Sequence, residues 1–267
     1  MAKIDFNLFP GGASKCVTFS YDDGRTHDRR LVSILNEHGC KGSFHLNSGK
    51  LGSDGYITAE EVPGLFAGHE VSVHTVTHPF PTRISSEELI AEVMGDRRTL
   101  ERLVGYPVRG MSYPFGNYDG RVIEVLKTLG IECSRTTRST SQFGLPAEPL
   151  TWHPTCHHKR AAELVDRFLE SPRHRHPQLF YIWGHSYEFA NDDNWNLIEK
   201  LCARLGRRED VWYATNIDII DYVSAWRSLR ISADADIVYN PSALTVWFTH
   251  NGAAAASVAP GETLKLP

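Results

Sequence analysis

Short apolar runs alternate along most of the chain with stretches in which apolar residues recur at three- and four-residue intervals. The runs read as buried strands and the intervals as amphipathic helices. Cys16 to Ser20 is the first such run; it opens onto Tyr21-Asp22-Asp23-Gly24, and a helix is predicted from Asp28 to His38 with Gly39 as its stop. The unit then repeats: a strand at Gly42 to Leu46, a helix near Ala59 to Ala67, a strand at Glu70 to His74, and a long helix from Ser85 or Ser86 in which Ser85 and Glu88 have capping-box spacing. Strands at Val108 to Tyr113, Ile131 to Ser134, Leu179 to Trp183 and Val211 to Ala214 follow. They are interleaved with helices at Asp119 to Leu129, Ala161 to Leu169, Trp195 to Leu205 and Ile217 to Leu229. This alternation predicts an α/β domain over residues 1–229, with a parallel sheet, open or closed, and helices outside. Beyond Arg230 the runs Asp236 to Tyr239 and Leu244 to Thr249, separated by Asn240-Pro241, predict a small β-rich extension over residues 230–267 packed on that domain. Ala253 to Ala256 reads equally well as a strand edge or a loop.

Composition narrows the class. The chain has 267 residues, 41% hydrophobic and 22% charged, enough for a substantial core. A formal charge of -4 and the lack of a basic cluster interleaved with aromatics argue against nucleic acid as a partner. No apolar run has the length of a membrane span. The segment from Met1 to Gly12 does not read as a secretory signal, so a cytoplasmic protein, or a mature form whose leader was removed, is expected. The five cysteines are odd in number and lack CxxC spacing, which predicts buried free thiols in place of a disulfide framework or a thiolate metal site.

The polar residues that interrupt this pattern fall at predicted strand ends: Asp22 and Asp23, His74 and His78, Ser112 to Gly116, and His185. In a parallel sheet or barrel those ends share one face, where active sites form. His74 and His78, four apart, would place two imidazoles on one side of a helical turn, close enough to share an ion. That spacing alone more often marks structural histidines. Two adjacent carboxylates at a strand end repel unless a cation or a proton lies between them, and the helix predicted after Thr26 argues against a simple hairpin turn at Asp22-Asp23-Gly24.

Thr18-Phe19-Ser20-Tyr21-Asp22-Asp23-Gly24 and His74-Thr75-Val76-Thr77-His78 resemble the first two motifs of the polysaccharide deacetylases, a family of carbohydrate esterases, and the likeness extends over roughly Lys15 to Tyr222. The resemblance implies a distorted (β/α) barrel. It implies Asp22 as catalytic base, Asp23, His74 and His78 as ligands of one divalent metal, with zinc expected first and cobalt, manganese or nickel as alternatives. Ser112-Tyr113-Pro114-Phe115-Gly116 resembles the third motif, which implies a groove wall at Ser112, Pro114 and Phe115 and an oxyanion donor at the amide of Tyr113. Leu179 to His185 resembles the fifth, implying His185 as general acid, with Trp152 and Tyr187 as candidates to stack on substrate. The Arg usual in the third motif is Ser112 here, which leaves Arg109, Arg135 or Arg138 to hold the base, and the Asp of the fourth motif has no match. Cys156-His157-His158 lacks the spacing of a second metal site.

The implied reaction is hydrolysis of an N-acetyl amide or O-acetyl ester on a carbohydrate. A hydrolase of cyclic amides or ureides shares the fold and first motifs. A non-catalytic sugar-binding relative is the third class, against which Asp22, Asp23, His74 and His78 speak.

Overall fold

The computed structural model describes residues 3–172, 176–252 and 255–267. A short β1 (Ile4–Asp5) precedes β2 (Lys15–Asp23), which is buried at every position except the last. Alternation sorts its side chains. Val17, Phe19 and Tyr21 join the core beneath the helices, whereas Thr18, Ser20 and Asp22 point to the opposite face and into a polar interior.

The chain continues through α1 (Asp28–Glu37), β3 (Gly42–Leu46), α2 (Val62–Leu65), β4 (Glu70–Val73), α3 (Ser86–Val104), β5 (Gly110–Ser112), α4 (Gly120–Thr128), β6 (Cys133–Arg135), β7 (Cys156–His157), α5 (Ala161–Glu170), β8 (Gln178–Gly184), α6 (Tyr187–Asn191), α7 (Trp195–Leu205), β9 (Val211–Tyr213) and α8 (Asn216–Ser228). All strand pairs in this sheet are parallel, in the order β6-β5-β4-β3-β2-β8-β7. β3 takes Phe19 to Asp23 of β2, and β9 takes Lys15 to Val17 along the same edge. The ends of the sheet are drawn together by Trp152, whose N–H donates to Ser134 O at 3.0 Å and whose carbonyl accepts from Thr136 N at 3.0 Å, just before the chain enters β7. The result is a distorted (β/α) barrel.

Its interior is layered. Phe9, Cys16, Cys133, Trp152, Leu179, Tyr181, Ile219 and Ile220 form an apolar plug. Above the plug the interior turns polar, and burial is tolerated because hydrogen bonds replace water. Glu70 accepts from Ser43 Oγ and Ser72 Oγ at 2.6 Å each and from Ile217 N at 3.0 Å, at the first turn of α8, where N–H groups favour a carboxylate. Asn216 joins Thr18, Ser43 and Tyr181. The five cysteines are all buried and unbridged.

The predicted helix Ala59 to Ala67 shrinks to one turn, α2, because Pro63 and Gly64 sit inside it. In α3 the capping box forms as expected: Ser85 Oγ accepts from Glu88 N at 3.1 Å while the Glu88 carboxylate accepts from Ser85 N at 2.9 Å. Ser85→Ala should therefore cost about 1 kcal/mol, a fall in Tm of roughly 2–4 °C by calorimetry; an unchanged Tm would remove the cap from any stabilising role.

After α8 come β10 (Arg230–Ile231), β11 (Ile237–Tyr239), β12 (Val246–His250), β13 (Ala255–Val258) and β14 (Thr263–Lys265), in two antiparallel sheets, β10-β11-β14 and β1-β12-β13. Their core, Val238, Val246, Phe248 and Val258, packs on Ala225 and Trp226 of α8. Tyr222 OH donates to Leu8 O at 2.9 Å and accepts from Trp247 N at 3.0 Å, tying both chain ends to the barrel. Ala253 and Ala254 lie outside the described residues; Ala255 and Ala256 are strand.

Candidate active site

Asp22 and Asp23 close β2, His74 follows β4, Ser112 closes β5, Arg135 closes β6 and His185 follows β8. Parallel strands put all these ends on one face. Four non-glycine residues there, Asp23, Thr75, His78 and Phe115, have φ of 83°, 68°, 66° and 58°. Such left-handed backbone costs on the order of 1 kcal/mol or more per residue and persists where surrounding contacts impose it.

The pair His74 and His78 does not sit on a helical turn, contrary to the spacing argument. Residues 74–78 form a loop, bent at Thr75 and His78. Asn47 Nδ2 donates to the carbonyls of His74 (2.6 Å) and Thr75 (2.9 Å), Asp96 accepts from His74 N (2.9 Å), and Thr75 Oγ1 accepts from His78 N (3.1 Å). The two rings still meet, with centroids 4.7 Å apart. Asp23 Oδ1 lies 3.7 Å from His74 Nε2 and 3.7 Å from His78 Nε2, and the three donor atoms fall within 4.8 Å of one another. Donors about 2 Å from a shared divalent ion are spaced on this scale.

The tautomer of His74 is set by its neighbour. Its Nδ1 is 2.9 Å from Ser112 O and 2.7 Å from Ser112 Oγ. A carbonyl can only accept, so the proton sits on Nδ1 and the Nε2 lone pair faces Asp23. Burial, above all, pulls His74 down to about 3, keeping it neutral as a metal ligand would have to be, and burial likewise lowers His78.

Asp22 is buried. Ser112 Oγ donates to its Oδ1 at 2.9 Å and Arg135 Nη2 donates to its Oδ2. Burial alone would raise this carboxyl, but the Arg135 guanidinium, with His74, His45 and His185, holds it well below the usual carboxylate range. Of the three candidate arginines, Arg135 is therefore the one that binds Asp22. Its Nε also donates to Ser20 Oγ at 2.9 Å and its guanidinium lies 4.4 Å from the centre of the Trp183 ring. Arg109 is bound to Asp221 and Glu132, and Arg138 is exposed. The register pairs Ser112 with Arg135, so a guanidinium from the next strand takes the place left by Ser112.

His185 Nε2 is 4.0 Å from Asp22 Oδ2, and its Nδ1 is 2.8 Å from Glu188 Oε1 on α6. Burial disfavours its charged form, yet the bond to Glu188 and the charges of Asp22 and Asp23 outweigh burial and raise it. The sequence offers no match to the Asp of the fourth motif, and the carboxylate that touches His185 is that of Glu188, three residues on. Its other oxygen lies 3.1 Å from His157 Nε2 and 3.3 Å from His158 Nε2. His157, His185 and Glu188 are close enough to hold an ion, but Lys159 Nζ stands 3.6 Å from the same Glu188 oxygen, an ammonium already neutralising it.

The remaining expectations divide. Tyr113 is buried, its N–H donates to Arg135 O at 3.1 Å and its hydroxyl donates to Leu150 O at 2.8 Å, so it has no donor left for an oxyanion. The ladder of β6 claims that amide; the amide of Phe115, two residues on, is hydrogen-bonded to nothing among the described residues. Trp152 is buried against Tyr181 in the barrel seam and lines no groove. Ser112 and Pro114 are buried too, whereas Phe115 is 54% exposed and Tyr187 is half-buried with its ring 5.1 Å from that of His185.

Two groups escaped sequence reasoning. His45, beside Asp22 in register, is buried with Nε2 2.8 Å from Ser20 Oγ, and burial pulls it down to about 3. Asp28 opens α1, where burial, together with the charges of Asp23 and Asp22, pushes its carboxyl up to about 8. A histidine on the inward positions of a strand was the available signal for His45; nothing local marks Asp28.

Comparison with known proteins bears on the first half of the chain. The family model described as polysaccharide deacetylase matches residues 11–134, from just before β2 into β6. Over that stretch the chain resembles the polysaccharide deacetylases. It is 27% identical over 113 residues to chitin deacetylase 1 of Cryptococcus neoformans, covering 42% of this chain and 23% of that protein. It is 25% identical over 126 residues to a peptidoglycan-N-acetylglucosamine deacetylase of Bacillus cereus, covering 45% and 43%. The chain thus spans less than half the length of the curated relatives it matches. Among solved structures, a candidate polysaccharide deacetylase from Mycobacterium smegmatis superposes with a TM-score of 0.61 at 17% identity, over 82% of this chain and 93% of that one, which shows the shared fold. No described helix of the chain is long and apolar enough to cross a membrane.

Proposed function

We propose that the chain removes acetyl groups from an acetylated carbohydrate by hydrolysis at the β-strand ends described above. The observation that carries this reading is the convergence of Asp23, His74 and His78 on one point with the ionised Asp22 beside them. Two neutral imidazoles and one carboxylate fit a single divalent ion, zinc first, with cobalt, manganese and nickel sharing the same donor preferences. Bound there, such an ion would polarise the acyl carbonyl and acidify an attacking water.

The chain's own residues supply the rest. Asp22 takes the proton of the water, held in place by Ser112 and Arg135 so that one carboxylate geometry persists through attack. The free N–H of Phe115 is the available backbone donor for the carbonyl oxygen as it gains charge. His185, made more basic by Glu188, delivers a proton to the departing nitrogen or oxygen as the C–N or C–O bond breaks, leaving acetate and a free amine or hydroxyl. Because an amine departs poorly without that proton, the raised His185 favours competence on amides as well as esters.

Acetate release should be measured on acetylated xylan, chitin oligomers, peptidoglycan fragments and an aryl acetate, with protein first stripped by a chelator and then restored with metal. Release that disappears on stripping and returns on restoration is expected. Fully metallated protein that frees no acetate but opens a cyclic amide or ureide would overturn the reading in favour of that second hydrolase class.

A further inference from the structure

Two chains of ring contacts leave the candidate centre, and each ends on cations that hold no carboxylate among the described residues. On one side the His185 ring lies 5.1 Å from Tyr187, and the Arg25 guanidinium lies 5.5 Å from the Tyr187 ring and 4.4 Å from that of Tyr56. Lys50 Nζ is 5.7 Å from that same Tyr56 ring. On the other side His78 meets Phe115 at 4.5 Å, Phe115 stacks on Phe80 at 3.9 Å with planes 9° apart, and Arg83 lies 4.3 Å above Phe80. Elsewhere Arg29, Arg30, Arg97, Arg109 and Arg204 each hold a carboxylate. Arg25, Lys50 and Arg83 form no ion pair among the described residues, and Arg25 Nε is buried with no acceptor at all.

These cations are placed by construction. Arg25 follows β2 and Tyr56 sits on the loop after β3, and a β-bridge joins the two residues. A Cβ on Gly55 would stand 3.2 Å from Arg25 Nη2, at a φ of 78° that also favours glycine, so the loop is shaped to let the guanidinium in. Asp54, at the exposed tip of that loop, pairs with neither cation. A protein of formal charge -4 therefore carries, linked to its candidate centre by ring contacts, positive groups that form no ion pair among the described residues.

From this juxtaposition we infer that the site takes an acetylated glycan bearing anionic groups, carboxylate or phosphodiester, on units flanking the acetylated one. One sugar packs on Phe115, which Phe80 backs, another packs beside Tyr187 and Tyr56, and the anions of neighbouring units meet Arg83 on one side and Arg25 with Lys50 on the other. This deepens the deacetylase reading and rests on it for the chemistry, though the binding step can be measured without hydrolysis.

The experiment has two arms. Calorimetry on the full chain compares a non-acetylated oligogalacturonate, an oligomer of glycerol phosphate and a neutral chitooligosaccharide of similar length, at low and high salt. Binding of one or both anionic oligomers at least about tenfold tighter than the neutral one at low salt is expected, weakened as ionic strength rises and reduced about tenfold in the Arg25→Gln/Lys50→Gln double variant. The oligomer that binds identifies carboxylate or phosphodiester as the group read. Equal or tighter binding of the neutral oligomer, or anionic binding unchanged in the double variant with its fold intact by circular dichroism, would overturn the inference. The second arm measures acetate release from acetylated polygalacturonate against acetylated xylan, where the ratio of kcat/KM should favour the anionic polymer. Salt-sensitive anionic binding without acetate release from any polymer would leave the subsite standing and remove the deacetylase reading instead.

Discussion

Arg135→Met is expected to lower the unfolding free energy by about 3–5 kcal/mol and Tm by on the order of 10 °C, followed by calorimetry and denaturant titration. Arg135 and Asp22 are both almost wholly buried, and Arg135 binds Asp22 Oδ2, Ser20 Oγ and Thr136 O at once. Methionine fills similar space but leaves a buried carboxylate facing a thioether, with Ser20 and Thr136 short of a donor. The carboxyl of Asp22 should then titrate higher than in the parent, because the guanidinium is the largest influence opposing burial there. Adding Asp22→Asn removes the stranded charge, so the double variant should be more stable than Arg135→Met alone. A Tm for Arg135→Met within about 2 °C of the parent would exclude the guanidinium as the group that supports the base.

The second large effect concerns activity. Asp22→Asn should reduce kcat for acetate release by about 10²- to 10⁴-fold, the usual worth of a positioned general base, while bound metal per chain, measured by plasma mass spectrometry, stays unchanged. The reason is a division of labour between adjacent carboxylates. Asp23 shares its Oδ1 with both histidines at 3.7 Å, whereas Asp22 is engaged by Ser112 and Arg135 and stands 3.9 Å from His74 Nε2. Retained kcat would deny Asp22 the role of base. Loss of metal together with activity would instead make Asp22 a ligand.

Much of this arrangement was legible before any coordinates. The strand β2, the capping box at Ser85 and Glu88, and the helix Trp195 to Leu205 follow from period and local hydrogen-bonding chemistry, which act within a few residues. Where a turn is short and made by proline and glycine, as in α2, propensity overcame the apolar spacing. The histidine loop shows the other kind of limit. Spacing of four suggested a helical turn, but the rings meet because Asn47, Asp96 and Thr75 bend the backbone into left-handed conformations, and two of those three residues are remote in sequence.

The amino-acid sequence by itself determined the alternation of strands and helices, hence the shared face on which Asp22, Asp23, His74 and His185 fall, because side-chain periodicity is a local property of the backbone. Only the tertiary structure decided which arginine binds Asp22, that Glu188 binds His185, that the Tyr113 amide is spent on Arg135, that Trp152 is seam and not groove, and that Arg25, Lys50 and Arg83 form no ion pair among the described residues. Each of these is a pairing set by strand register, loop bend or burial, and a sequence lists partners without the distances that choose between them.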